Sequence, residues 1–174
     1  MPKSRTPHLS FALVACALLI GGCAPAPGPA RPEMPPGDII KAAQQQLTDR
    51  CLKRQGLTPP RAGQPRAATA AGRAESRRVA DALFGAGRTE LALTLPTGYS
   101  VRAHTDGCLA SAQRTLYGDQ RRWFEVSTVV NNLGPEAAHR HRSLDWVRAR
   151  HRTELADWKQ LRTQALRRAT AQLS

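Results

Sequence analysis

The chain has no apolar run long enough to cross a bilayer. Its longest, Leu9 to Ile20, holds twelve mostly apolar residues, whereas a spanning helix needs about 20. Lysine is nearly missing: 4 Lys stand against 22 Arg. With the abundance of Ala, that bias fits GC-rich coding, so charge alone does not define a function. The sequence also lacks the serine-nucleophile elbow, the zinc-protease histidine pair and the paired cysteines of a redox site. Gly85-Ala86-Gly87-Arg88 has neither the lysine nor the preceding strand of a phosphate loop and reads as a turn. His139, His141 and His151 with Asp145 do not make a metal set. Residues 139 and 141 point to different sides of a helix, Arg140 and Arg142 repel a cation, and no cysteine is near. No catalytic residue, metal ligand or cofactor motif is therefore assigned, and the reading leans away from an enzyme.

What is present begins with an address. Lys3 and Arg5 give a positive start without acids, the apolar run follows, and Leu19-Ile20-Gly21-Gly22-Cys23 places two small residues before a cysteine. This layout predicts a lipoprotein signal peptide over residues 1–22 and lipidation of Cys23. Cleavage after one of the following alanines, or a short uncleaved anchor, are the competing readings. Two acyl chains hold a protein stably, at about 0.8 kcal/mol per buried methylene, where one chain is marginal. The expected location is the extracytoplasmic face of a bacterial cell membrane, anchored and not spanning.

Without residues 1–22 the chain keeps 24 basic and 13 acidic residues, a net of +11 over 152 residues. Leu, Ile, Val and Phe together number 25 of those 152, below the level of about 20% at which high charge starts to suggest disorder. A thin core follows. Residues 23–37 carry the lipidated cysteine and a proline-rich tether, with prolines at 25, 27, 29, 32, 35 and 36. Extended at about 3.1 Å per residue, such a disordered tether reaches up to ~40 Å. Residues 56–73, rich in Pro, Ala, Gly and Arg, read as a flexible insert.

The rest, residues 38–174, reads as a single mostly helical domain. Asp38 is a candidate cap for a helix with Ile40, Ala43, Leu47 and Cys51 on one stripe, stopped at Gly56. A short helix is expected from Ala74 to Phe84. Leu91, Leu93 and Leu95 alternate as in a half-buried strand, and Pro96-Thr97-Gly98 turns into a second strand over 100–104. Thr105 and Asp106 are candidate caps of the next helix, which can break at Gly118 and runs on through Val126, Val129 and Val130 to a stop over 131–135. A long basic amphipathic helix is expected over 136–172, with Leu144, Val147, His151, Leu155, Trp158 and Ala165 along its seam. The fold class is mainly α with a small β-hairpin (α+β).

Of four cysteines, Cys16 leaves with the signal and Cys23 takes lipid, so Cys51 and Cys108 remain in an oxidising compartment. Such a pair usually forms a disulfide, closing a loop worth about 4 kcal/mol in the chain-entropy model. Two buried free thiols or an intermolecular bond are the alternatives. The segments Cys51-Leu52-Lys53-Arg54-Gln55-Gly56, Leu95-Pro96-Thr97-Gly98-Tyr99, Asp106-Gly107-Cys108-Leu109-Ala110 and Leu116-Tyr117-Gly118-Asp119 resemble small lipoproteins of actinobacteria that have no established activity. The resemblance covers mainly residues 38–133 and implies a disulfide and a location, not a reaction.

Arg140, Arg142, Arg148, Arg150, Arg152, Arg162, Arg167 and Arg168 make the C-terminal segment a candidate contact for an anionic surface. A solvated face of a packed helix explains the same residues. Two classes of function remain: a non-enzymatic envelope module binding anionic lipid, cell-wall polymer or an envelope protein, and an extracytoplasmic enzyme or small-ligand carrier with a scattered site. Nucleic acid is the least suited partner outside the cell.

Overall fold

A computed structural model describes residues 34–65 and 67–174. The expected signal peptide 1–22, Cys23 and the tether up to residue 33 lie outside the described residues. Residues Met34–Ser174 form one compact unit. No helix among the described residues is long and apolar enough to cross a membrane.

Helix α1 spans Pro36–Arg54, with Pro35 at its N-cap position and Pro36 in its first turn. Proline is tolerated there because a first-turn N–H has no partner inside the helix. The helix thus starts two residues ahead of Asp38, which lies within the first turn and does not cap it. Lys53 and Arg54 close the last turn, where positive charge suits the dipole. Leu57 N–H then returns to Leu52 O at 3.0 Å, and Leu57 packs beside Leu52 and Cys108. The segment read as a flexible insert is therefore fixed at its start.

Helix α2 spans Ala70–Phe84, four residues earlier than expected, because Thr69 Oγ1 accepts the Gly72 N–H at 3.1 Å. Strands β1 (Leu91–Thr94) and β2 (Ser100–Ala103) pair antiparallel, with Leu91 opposite Ala103 and Thr94 opposite Ser100. Helix α3 (Cys108–Tyr117) breaks from α4 (Gln120–Asn131) at Gly118, whose φ of 84° suits glycine. Asp119 caps α4 through Arg122 N–H.

The single long helix expected over 136–172 is corrected to three: α5 (Leu133–His139), α6 (Leu144–Arg150) and α7 (Arg152–Leu173). His141 takes a left-handed φ of 51°, and Arg142 N–H bonds back to Ala137 O at 3.0 Å. Ser143 Oγ then caps α6 by accepting the Trp146 N–H. The turn lets Val147 cover Leu133 and Ala137, with Val129, Val130 and Leu155 around them. Burying that cluster is what a straight helix would forgo. Pro135 falls in the first turn of α5, again where no N–H is needed.

The main core lies between α1, α3 and α7. It is built from Ile40, Ala43, Leu116, Tyr117, Ala165 and Ala169, with Leu47, Trp123 and Leu161 at its margin. Three of those six buried residues are alanines, so the helices meet at close range and few large side chains suffice. A second cluster gathers Leu52, Leu57 and Cys108 with Val79 and Leu83 of α2. There Cys51 and Cys108 form the disulfide, their Cα atoms 5.6 Å apart across a separation of 57 residues.

Candidate functional sites

The eight arginines expected to form one face are spread over α5 to α7 and mostly engaged. Arg140 Nε meets Glu136 Oε1 at 2.7 Å, and Arg148 pairs with Asp145 at 3.2 Å. Arg168 donates to the Thr115 and Leu116 carbonyls, filling acceptors at the end of α3. Arg162 lies over the Trp158 ring at 4.8 Å. Arg152 and Arg167 are exposed and carry no ion pair among the described residues.

Arg142 and Arg150 differ from the rest. Both stand over the Trp146 ring, at 5.6 and 5.0 Å from its centre, Arg142 from the turn before α6 and Arg150 one helical turn after it. Trp146 is 39% exposed and Leu144 37%. A wide indole and two cations thus share one outer side of α6, while Leu144, two residues before Trp146, points to another side of the helix.

Behind this face sits Glu136, which sequence reasoning passed over. It is 3% exposed, and its carboxylate is held by Arg140 and by His151 Nε2 at 2.9 Å. His151, expected as a packed histidine on the seam, thus joins α5 to the start of α7. The signal was faint: Glu136 is one of four acids after Pro135, and its burial depends on the turn at His141. Among the described residues no group of three or more His, Cys, Asp or Glu could hold a metal ion.

A second site, also unmarked in the sequence, is a half-open cleft of about 250 Å³ between the hairpin, the end of α2, α3 and α4. Its apolar wall comes from Phe84, Leu91, Leu109, Trp123 and Phe124; Arg102, His104, Gln113, Gln120 and Ser127 supply polar groups. Trp123 stacks on Tyr117, ring centres 3.6 Å apart and planes 7° from parallel, which fixes the indole. Burial raises the Tyr117 phenol pKa, partly opposed by Arg162.

The cleft is positioned by the bend at Gly85 to Gly87, which has a partner in Asp106. Asp106 does not cap α3. Its carboxylate instead accepts Gly87 N–H at 2.8 Å and Ala86 N–H at 3.3 Å, and the Gly87 bond leads in holding its pKa below the ordinary carboxylate value. Gly107 takes the N-cap position of α3 without a side-chain cap; a Cβ there would lie 2.5 Å from the Phe84 carbonyl carbon. These close approaches bring Phe84 and His104 to the mouth of the cleft. No protein-family model matches the chain, and neither a curated protein nor a solved structure matches it.

Proposed function

We propose that the protein is a lipoprotein on the extracytoplasmic face of a bacterial cell membrane, held by lipid on Cys23. Its folded unit acts without chemistry, as a module that rests on anionic headgroups through the outer side of α6. The signal-like layout ending at Cys23 and the resemblance of residues 38–133 to small actinobacterial lipoproteins support the location. The observation that carries the contact is exposed Trp146 flanked by Arg142 and Arg150. Tryptophan and arginine suit the interfacial zone, where an indole sits among headgroups and a guanidinium meets phosphate. Residues 136–174 add 9 basic and 4 acidic side chains, a net of +5, which draws this end of the unit toward negative charge. A small-ligand carrier is the second reading, supported by the cleft beside His104.

Sedimentation of Met34–Ser174 with vesicles of phosphatidylglycerol and phosphatidylcholine tests the contact. Binding is expected at low salt, falling as salt rises, and at least ~10-fold weaker in Arg142→Glu/Arg150→Glu, since each basic residue near such a surface contributes about 1 kcal/mol. Equal binding to neutral vesicles, or no binding at low salt, contradicts the headgroup reading. Binding to purified anionic wall polymer alone moves the contact to the wall.

A further inference from the structure

The cleft beneath the hairpin has a chemical bias that the basic face of α6 does not explain. None of its lining residues is acidic, and Arg102 brings a full positive charge. Arg102 is exposed and makes no ion pair among the described residues. Two further polar residues stand beside it. His104 Nδ1 is buried without a hydrogen-bond partner, the Asp106 Oδ1 atom standing 4.0 Å away. Gln120 is 8% exposed, and its Oε1 is taken by Arg114 Nη1 at 2.9 Å. That contact leaves the amide N–H2 as the free end, and no acceptor meets it among the described residues. His104 Nδ1 faces the Asp106 carboxylate, so the Gln120 amide donor beside the unpaired Arg102 guanidinium is the pair that an incoming anion completes.

The opposite wall is aromatic. Tyr117 covers one face of Trp123, so the indole offers its other face or its edge to the cleft, and Phe84 is 57% exposed at the mouth. Such a wall favours a flat ring. A half-open volume of about 250 Å³, roughly that of eight waters, suits a single small ring with one substituent. A second hollow on the far side of Phe84 and Leu109 contains Lys41 and Asp49, with Asp49 already paired to Arg61, and shows no such bias.

We infer that this cleft is a binding site for a small aromatic monocarboxylate, its ring against Trp123 and Phe84 and its carboxylate toward Arg102 and the Gln120 amide. Binding is noncovalent and needs no contact with lipid, so it stands or falls apart from the headgroup reading.

The test uses the full chain in detergent micelles at low salt, with Trp146→Phe and Trp158→Phe leaving Trp123 as the sole tryptophan. Benzoate, benzamide and benzylamine are titrated while Trp123 emission is followed. Benzoate is expected to saturate with a Kd of about 1 mM or tighter, at least ~10-fold tighter than the amide or the amine, because only it makes charge-assisted hydrogen bonds. Arg102→Glu is expected to abolish the preference for benzoate and favour benzylamine. Ser127→Asp, across the cleft on α4, should weaken benzoate as well and serves if Arg102→Glu does not fold. Arg78→Glu makes the same charge change on the outer side of α2 and should leave binding within twofold. No saturable benzoate signal, equal binding of the three probes, or an Arg78→Glu effect as large as that of Arg102→Glu overturns the assignment.

Discussion

The two ends of the folded unit are held by different means. Between α1, α3 and α7, Ala43, Ala165 and Ala169 are fully buried, and the helices pack backbone to backbone. At the other end α2 buries no residue completely; its half-buried Val79, Ala82 and Leu83 pack against the Cys51–Cys108 bond, which joins the end of α1 to the start of α3. Close packing of small side chains substitutes for bulk at one end, and at the other a covalent bond between α1 and α3 makes the platform on which α2 packs. The candidate functions divide along the same line, since the cleft opens beside the disulfide end and the Trp146 face belongs to the helices running into α7.

Breaking the covalent end is expected to have the largest effect. Cys51→Ser/Cys108→Ser should lower unfolding stability by about 4 kcal/mol in the chain-entropy model, measured by urea denaturation. A loss under 1 kcal/mol would mean that apolar contacts already hold that end. Overfilling the packed end comes next: Ala169→Leu should cost about 2 kcal/mol by forcing α7 away from α1 and α3, whereas the same change at exposed Ala156 should be nearly neutral. Thr69→Ala removes the cap of α2 and should cost about 1 kcal/mol, read as earlier loss of α2 protection from hydrogen exchange. The smallest effect concerns Asp106. Its pKa is lowered in the folded chain, chiefly by the Gly87 N–H, so its contribution is present above the ordinary carboxylate value and is lost as pH falls through the folded pKa. Acidification through that window should loosen the 85–87 turn, followed by the Gly87 amide signal, and Asp106→Asn should flatten the dependence.

The helical stripes of α1, the leucine alternation of β1 and the pairing of Cys51 with Cys108 were legible because each is a local period or a count. Helix ends were less so. Pro36 looked like tether although proline suits a first turn, and Thr69 was hidden in an alanine-rich stretch that read as linker. The split of the C-terminal helix was not legible, since the left-handed His141 is stabilised by what the turn buries: Val147 on Leu133 and Ala137, and Glu136 between Arg140 and His151. The eight arginines were visible, but which remain free depends on carbonyls and carboxylates brought in from elsewhere. The cleft left no sequence signal, because its residues come from five elements or their flanks and share no spacing.

Hydrogen exchange of Met34–Ser174, with and without phosphatidylglycerol vesicles, shows whether the α6 face is the part of the unit that meets the headgroups. Slower exchange is expected only in the 140–143 turn, α6 and the start of α7, with the amides of α2 and the hairpin unchanged. Protection spread evenly over the unit, or centred on α2 and the hairpin, would contradict that contact.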